Sequence, residues 1–371
     1  MIALSVCFAV LKTVPPVSTQ ACVIQIKSHC SLVLRYNAES FITLSALMLP
    51  YIFKRVFSCL LMMLIASAVI FFALEILPGN AAQMLSGINA SPETVAALMH
   101  ELGLNKPVLS RYAEWMTGIF RGDLGNSHVY ASPVKELLAE RLQVTLPLAF
   151  LAMMLTLMIS LPAGIYAAAH QGKWRDHFIT LLTELGMAIP NFWLAILLIL
   201  IFCVTLQWLP FGGFPGWRAQ EGGGIVAGFT ALLLPAIALA VVQAAILSRF
   251  IRSAVLEVTH EKFVQAVRAK GVSKRVTLWR HVLKNASIPI LTLAGMQFSA
   301  LLAGAIVTEN VFILPGLGRL FVTSIENRDF IVIRNALLLL VAMVMFVNMV
   351  VDCICMYIDP RFAQAEQMEG R

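Results

Sequence analysis

The chain has 371 residues and a formal net charge of +7 at pH 7, and hydrophobic residues make up 59 % of it. Only 13 % of its residues are charged and its mean hydropathy is +0.84, whereas about a quarter of the residues in a soluble globular domain are charged. This composition excludes an ordinary soluble protein and indicates an integral membrane protein.

Residues 1–47 differ from the rest of the chain. Their apolar start is too short for a membrane span, which needs about 20 residues, and Lys12, Pro15 and Pro16 interrupt it. A signal peptide would begin with basic residues and end at a small-residue cleavage site, and neither is evident here. A short basic segment from Met48 leads into the first span, so we expect translation to start at Met48. The alternative is a cytosolic extension.

Six apolar stretches are long enough to cross a bilayer as helices. They comprise residues 57–77, 144–169, 181–205, 225–247, 288–308 and 333–358. Pro162, Pro190 and Pro235 interrupt three of them, where proline can kink a helix or simply be tolerated. The sequence therefore predicts an all-α integral membrane protein with six transmembrane helices.

Lysine and arginine are distributed unevenly among the segments between spans. Residues 250–287 carry eight of them, whereas residues 78–143 carry five against six acidic residues. Because basic residues stay on the cytosolic side, we expect residues 250–287 and both termini to be cytosolic and residues 78–143 to face outward. The positive charge follows from this asymmetry and does not indicate nucleic-acid binding.

The outer segment is too long for a simple connection and carries helical signals of its own. Ser91 can cap a helix with proline in its first turn, and Trp115, Ile119 and Phe120 suggest a second apolar face. We predict a small domain outside the spans that meets a partner, with a packing role alone as the alternative. The predicted regions are an N-terminal extension, 1–47; the first span with its outer region, 48–143; a transmembrane core, 144–358; and a cytosolic tail, 359–371.

A polar, basic segment between the fourth and fifth spans has the pattern of two short helices around a glycine. Thr259 can cap a first helix in which Phe263, Ala266 and Val267 share one face. Gly271 can end that helix in the left-handed conformation.

The second short helix follows Gly271. Ser273 can cap it, with Val276, Trp279 and Leu283 on one face and basic residues elsewhere. A basic helix–glycine–helix segment between membrane spans predicts docking of a cytosolic partner.

The sequence lacks common catalytic and metal-binding motifs. It contains no GxxxxGK[ST] phosphate loop, no HExxH and no GxSxG. The seven cysteines include no CxxC pair, so we expect no metal site, disulfide framework or cofactor. The acidic residues in or near spans, Glu75, Glu184 and Asp352, are too few to favour an ion-coupled carrier. We expect no enzyme activity in this chain.

Several short motifs occur in a characteristic order along residues 48–361. They are Leu77-Pro78-Gly79, Gly122-Asp123-Leu124-Gly125-Asn126-Ser127, Pro190-Asn191-Phe192-Trp193, Ala266-Val267-Arg268-Ala269-Lys270-Gly271, Glu309-Asn310-Val311-Phe312, Pro315-Gly316-Leu317-Gly318-Arg319 and Asp359-Pro360-Arg361. Together they resemble the integral-membrane permease of bacterial ATP-binding-cassette (ABC) importers, in the dipeptide, oligopeptide and nickel branch. The resemblance implies the type I importer permease architecture in the bacterial inner membrane.

The resemblance also implies a coupling role for the basic segment, which would sit in a groove on an ATPase subunit. The residues it assigns to ATPase coupling are Phe263, Ala266, Arg268, Ala269, Lys270, Gly271 and Ser273. The implied partners are a second permease subunit, two ATP-binding subunits, a periplasmic solute-binding protein and the lipid membrane. ATP would be hydrolysed on the separate ATP-binding subunits.

A second group of residues is assigned to the translocation pathway or its gating. These are Pro190, Trp193, Pro235, Glu309, Pro315, Gly316 and Gly318. For the turn that contains the last three, a purely structural role in shaping the outer loop is the alternative.

The cargo is largely unspecified, because a permease of this kind makes few cargo contacts. Within the branch, di- or oligopeptides are the first expectation and nickel is the alternative. An ion-coupled secondary carrier is a second alternative from a different class, and a membrane-embedded enzyme is a third. The segment Gln265-Ala266-Val267 departs from the general Glu-Ala-Ala pattern of the family, which weakens transfer of a substrate from relatives.

Overall fold

The structure is a computed structural model that describes residues 52–76, 105–218 and 222–358, with isolated positions between 93 and 100. The predictions for the extension 1–47, the start at Met48, the helix beginning at Ser91 and the tail 359–371 lie outside the described residues. Within the described part the chain is helical, apart from turns, loops and one isolated bridge between Asn126 and Pro133.

Eleven helices account for most of the described residues. They are α1 (Ile52–Ile76), α2 (Val108–Arg121), α3 (Val134–Ala169), α4 (Trp174–Ala188), α5 (Asn191–Leu198), α6 (Ile225–His260), α7 (Lys262–Ala269), α8 (Lys274–Thr277), α9 (Leu283–Val311), α10 (Leu317–Glu326) and α11 (Phe330–Ile358). Two π-helical segments extend them: Ile199–Thr205 continues α5, and Leu278–Val282 joins α8 to α9.

Among the described residues, five helical segments are long and apolar enough to span a membrane, and there are six if a bent pair of helices is counted as one span. The five are α1, α3, α6, the continuous helix Lys274–Val311 and α11; the bent pair is Trp174–Ala188 with Asn191–Thr205. This confirms the predicted all-helical architecture. Several spans are longer than the sequence predicted, because α3 and α6 are each 36 residues long and extend beyond their apolar cores.

The third span is a broken helix and not the single continuous helix predicted for residues 181–205. Its two halves meet at an angle of 94°. Pro190 explains the break, because proline disfavours helical geometry in the preceding residue, and Ile189 is extended with φ −87° and ψ 120°. Pro162 and Pro235, which we also expected to interrupt their helices, lie inside uninterrupted α3 and α6.

Helix α6 is the centre of the bundle and packs on α3, α4, α5 and α9. Small residues permit the close approach. A Cβ atom placed on Gly164 of α3 would lie 2.7 Å from the Ile251 Cβ and from the Ser248 carbonyl oxygen of α6. A Cβ on Gly186 of α4 would lie 2.9 Å from the Cβ of Ala245. Side chains at these glycines would therefore separate the helices.

Helix α2 is fixed to α1 and α11 by aromatic packing and hydrogen bonds. The Trp115 ring stacks on Phe71 of α1, and its indole Nε1 donates to Asn335 Oδ1 of α11 at 3.0 Å. Trp115 is buried and Ile119 packs beside it, as the predicted apolar face requires. Phe120, which we placed on the same face, is instead exposed.

An ion pair with a buried carboxylate ties the C-terminal part of α6 to α4. Arg252 donates from Nε to Asp176 Oδ1 at 2.6 Å and from Nη2 to Oδ2 at 2.7 Å. The Gly172 amide donates to the same carboxylate at 3.0 Å, so the turn before α4 belongs to the network. The Asp176 side chain is buried, and its two oxygens therefore depend on these donors.

We predict that Asp176→Ala destabilises the protein by about 1–3 kcal/mol, because it leaves a partly buried guanidinium unpaired. The apparent melting temperature of the purified protein in detergent should fall, whereas the exposed control Lys173→Ala should leave it unchanged. In the Asp176→Ala background, Arg252→Ala should cause little further loss of stability. Additive effects of the two substitutions would contradict a direct pair.

Candidate functional site

The basic segment folds into a compact module, α7–α8, and one face of this module packs against the core of the helix bundle. Val264 of α7 has no exposed surface and belongs to a cluster with Ile251 and Val255 of α6 and Ala286 of α9. Val282, in the π-helical segment, completes the anchor. The module is therefore packed against the helices that precede and follow it.

The start of the module differs from the prediction in one respect. Thr259 does not cap α7, because α6 continues to His260 and the Thr259 hydroxyl donates to the Val255 carbonyl inside it, at 2.6 Å. Glu261 occupies the N-cap position of α7 and makes no side-chain capping bond. The proposed cap at Thr259 is therefore wrong.

The predicted helix end at Gly271 and the predicted cap at Ser273 are confirmed. Gly271 has φ +81°, and its amide donates to the Arg268 carbonyl at 3.0 Å, which ends α7 in the left-handed conformation. No described atom lies within 4 Å of a Cβ built on Gly271, so its backbone conformation alone favours glycine there. Ser273 caps α8 by accepting from the Val276 amide at 3.5 Å.

All seven residues assigned to coupling are exposed on this module. The residues concerned are Phe263, Ala266, Arg268, Ala269, Lys270, Gly271 and Ser273. Phe263 is 41 % exposed, and the residue that anchors α7 is its neighbour Val264, which the sequence analysis missed. The i, i+3 spacing of Val264 and Val267 was the available signal.

The second half of the module also presents apolar side chains outward. Val276 is exposed and Trp279 is 61 % exposed, whereas Thr277 and Val282 are buried. The π-helical turn shifts the register here, so Leu283 packs with the buried cluster while the other two residues of the predicted face point elsewhere. We use the name docking surface for the exposed side chains of Phe263, Val276 and Trp279 and for the lysines and arginines that surround them.

A second group of interacting residues lies at the C-terminal end of α9 and is built around a buried carboxylate. Glu309 has no exposed surface. Its Oε1 accepts from the Thr145 hydroxyl at 2.6 Å, and its Oε2 accepts from the amides of Gly318 at 2.7 Å and Arg319 at 3.3 Å. The Thr145 hydroxyl oxygen in turn accepts from the Leu317 amide at 2.8 Å. Glu309 thus caps the N-terminus of α10.

The glycines of this turn are required by close approach. A Cβ on Gly316 would lie 2.2 Å from the Glu309 carboxylate, and a Cβ on Gly318 would lie 2.3 Å from the Ile306 Cα. Pro315 precedes them in the turn. The geometry therefore accounts for Glu309, Gly316 and Gly318 as one structural unit, and the sequence analysis missed their partner Thr145 because it lies 164 residues away.

The remaining residues assigned to the pathway lie in two other places. Pro190 and Trp193 flank the break in the third span, and the Trp193 side chain is about half exposed. Pro235 is buried inside α6. The structure therefore brings Glu309, Gly316 and Gly318 together in one place. Pro190 and Trp193 lie at a separate place, the break in the third span. Within the described residues, no group of three or more His, Cys, Asp or Glu side chains could hold a metal ion.

Family comparison agrees with this geometry. Residues 160–364 match the binding-protein-dependent transport system inner membrane component family, and residues 48–149 match its N-terminal membrane component. The chain is 38 % identical over 315 residues to a protein of Brucella melitensis named as a peptide transport system permease, covering 85 % of this chain and 99 % of that protein. It is 35 % identical to the glutathione transport system permease protein of Salmonella typhimurium, covering 84 % of this chain and 98 % of that protein.

The fold is also similar to a solved structure. An inward-facing structure of the MetNI methionine ABC transporter aligns with a TM-score of 0.50 and 19 % identity, covering 60 % of this chain and 96 % of that chain. A likeness at this identity supports the fold alone. The family matches cover most of the chain, including both the docking surface and the Glu309 turn. The chain therefore belongs to the family of inner membrane permease components of binding-protein-dependent ABC transport systems.

Proposed function

We propose that this permease imports di- or oligopeptides that a periplasmic solute-binding protein delivers, driven by two ATP-binding subunits that dock beneath it and a paired second permease. The observation that carries the proposal is the docking surface. It places exposed Phe263, Val276 and Trp279 beside cationic side chains on a module that is anchored to the membrane core. Exposed apolar side chains with a charged rim are typical of a protein–protein interface.

The connections of the docking surface explain how movement would reach the spans. α7 follows α6 after a single residue, and α8 continues through the π-helical turn into α9 as one helix, Lys274–Val311. The Asp176–Arg252 pair ties α4 to α6 above the module. A displacement of the module by the ATP-binding subunits would therefore tilt α4, α6 and α9 together.

Peptide cargo is supported by the relatives, whose names specify peptide or glutathione transport at 34–38 % identity over most of the chain. Glutathione is itself a short peptide. The alignments cover 98–99 % of these relatives' own length, so the similarity extends over the whole of each relative and is not confined to one shared region.

The proposed function is tested by reconstitution. This chain, its second permease and the two ATP-binding subunits are placed in proteoliposomes with the binding protein, and uptake of a labelled tripeptide is compared with uptake of Ni²⁺. We expect ATP-dependent tripeptide uptake that requires the binding protein. Uptake of Ni²⁺ alone would favour the nickel alternative, and uptake without ATP would favour a secondary carrier.

We predict that Gly271→Leu uncouples the transporter, because a left-handed residue strongly disfavours a bulky side chain. Substrate-stimulated ATP hydrolysis and uptake should be largely lost, while membrane insertion remains normal. Gly271→Asn should retain much more activity, since asparagine tolerates this conformation. Arg268→Ala should have a smaller effect, because an exposed ion pair contributes under about 1 kcal/mol. Normal transport by Gly271→Leu would show that the module is not the coupling element.

We propose that the docking surface and both termini face the cytosol, with the loop around Asn126 outside. In a background without native cysteines, Asn126→Cys should react with an impermeant thiol reagent added to intact cells, and Ser273→Cys should react only after permeabilisation. Both positions are exposed in the structure, so a difference in labelling between them would report the side of the membrane and not burial in the protein. The reverse labelling pattern would overturn this orientation.

A further inference from the structure

Arg334 is a partly buried arginine that has no counterion in the described part of the chain. It lies in the second turn of α11, and its guanidinium carbon is 5.3 Å from the centre of the Trp115 ring of α2. No hydrogen bond or ion pair joins this guanidinium to a described residue, and its Nε is buried without a partner. A planar cation that an aromatic ring holds in place, with its donors unused, can bind an oxyanion.

The acidic side chains around Arg334 are engaged with other donors. The charge of Asp329 acts on Arg334, but the two Asp329 oxygens accept from the Ser127 hydroxyl at 2.5 Å and from an α11 backbone amide at 3.2 Å. Glu75 of α1 accepts from Nη2 of Arg111. Neither carboxylate forms an ion pair with Arg334, so its charge is left without a direct partner among the described residues.

A second arginine adds positive charge at the same place. Arg111 precedes Trp115 by four residues in α2, so the two side chains lie on one face of that helix. The charge of Arg111 also acts on Arg334, and the Nε of Arg111 is buried without a hydrogen-bond partner among the described residues. We use the name arginine cluster for Arg111, Arg334 and the Trp115 ring.

The arginine cluster lies at the ends of two membrane spans. Glu75, which pairs with Arg111, is the last residue but one of α1, and Arg334 is the fifth residue of α11. About 20 residues cross the hydrocarbon layer, so the ends of helices of 25 and 29 residues reach the level of the lipid headgroups. Basic side chains at that level attract anionic lipids.

An exposed apolar stripe on α1 leads away from the arginine cluster. Four residues at spacings of four, three and four form it, and they are between 40 % and 82 % exposed: Ile65, Val69, Phe72 and Ile76. The Phe72 ring stacks on Tyr112, the chain neighbour of Arg111, so the stripe adjoins the cluster. At 1.5 Å per residue the stripe is about 16 Å long, roughly half of the ~30 Å hydrocarbon core and hence the depth of one leaflet.

We propose that the arginine cluster binds the phosphate of an anionic phospholipid whose acyl chain lies along the α1 stripe. Arg334 donates to the phosphate oxygens through its Nη groups, while the Trp115 ring holds the guanidinium in place. Arg111 contributes its charge beside it. A zwitterionic lipid binds less well, because its ammonium group is repelled by both arginines. The site is independent of the cargo that the permease carries.

Photocrosslinking tests the site in the complete transporter with its second permease and ATP-binding subunits. Phosphatidylglycerol that carries a diazirine on its acyl chain is supplied in nanodiscs, and phosphatidylcholine with the same diazirine is the control lipid. After illumination, peptides that contain residues 65–76 should carry several times more phosphatidylglycerol than phosphatidylcholine. Equal labelling by the two lipids would refute selective binding. No labelling by either lipid would also refute it, and would indicate that another protein chain covers the stripe.

Substitutions test the role of the cluster in lipid affinity. Arg334→Met removes the charge and keeps a long apolar side chain beside Trp115. The affinity for phosphatidylglycerol in a native mass spectrometry titration should fall about tenfold, the equivalent of one lost charge-assisted hydrogen bond. Arg334→Lys should retain most of the affinity, because it keeps the charge.

The matched control is Arg121→Met, which removes an exposed arginine from the last turn of α2. This variant should bind phosphatidylglycerol as tightly as the unmodified complex does. An equal loss of affinity in Arg121→Met and Arg334→Met would show that general surface charge attracts the lipid, and the arginine cluster would not be a site.

Thermal stability separates lipid binding from packing. Arg334 gains no ion pair in the delipidated complex in detergent, so Arg334→Met should not lower the melting temperature there. Phosphatidylglycerol should raise the melting temperature of the unmodified complex and not that of Arg334→Met. A lower melting temperature without lipid, together with an unchanged increase on adding lipid, would assign Arg334 to packing and contradict the proposal. An equal increase with inorganic phosphate would contradict it too, because the site would then take a soluble anion.

Discussion

Close packing of α6 against its neighbours is the constraint on which the rest of the structure depends. Small residues such as Gly164 and Gly186 bring α3 and α4 against α6, and no larger side chain fits at either place. Within hydrocarbon, helices gain little from the hydrophobic effect, so association relies on such close contacts and on polar bonds. The Asp176–Arg252 pair adds a polar contact in the C-terminal part of the same helix.

The packing around α6 gives the module α7–α8 its mechanical connection. Val264 packs with residues of α6 and α9, so the module cannot shift without moving the ends of both helices. At the C-terminal end of α9, Glu309 fixes the turn into α10 through backbone amides and Thr145 of α3. The same helix, α9, therefore begins at the docking surface and ends at a rigid cap. The break in the third span lies between these two fixed ends.

Local signals in the sequence were sufficient for much of this structure. The spans follow from apolar runs, and Gly271 and Ser273 act within a few residues of themselves. Three features were not predictable in the same way. Of the three prolines expected to interrupt spans, only Pro190 breaks its helix, and α3 and α6 continue through Pro162 and Pro235. The Glu309–Thr145 bond joins distant segments. The inward face of α7 was misassigned because an apolar residue, Phe263, is exposed where a partner is expected.

The central claim is that the module α7–α8 carries the contact with the ATP-binding subunits. A spin label at Ala266, which is exposed on α7, measures this most directly through its accessibility to a water-soluble relaxation agent. The account predicts that accessibility falls sharply when the ATP-binding subunits are added to the reconstituted permease pair. Unchanged accessibility in a complex that still couples ATP hydrolysis to uptake would contradict it.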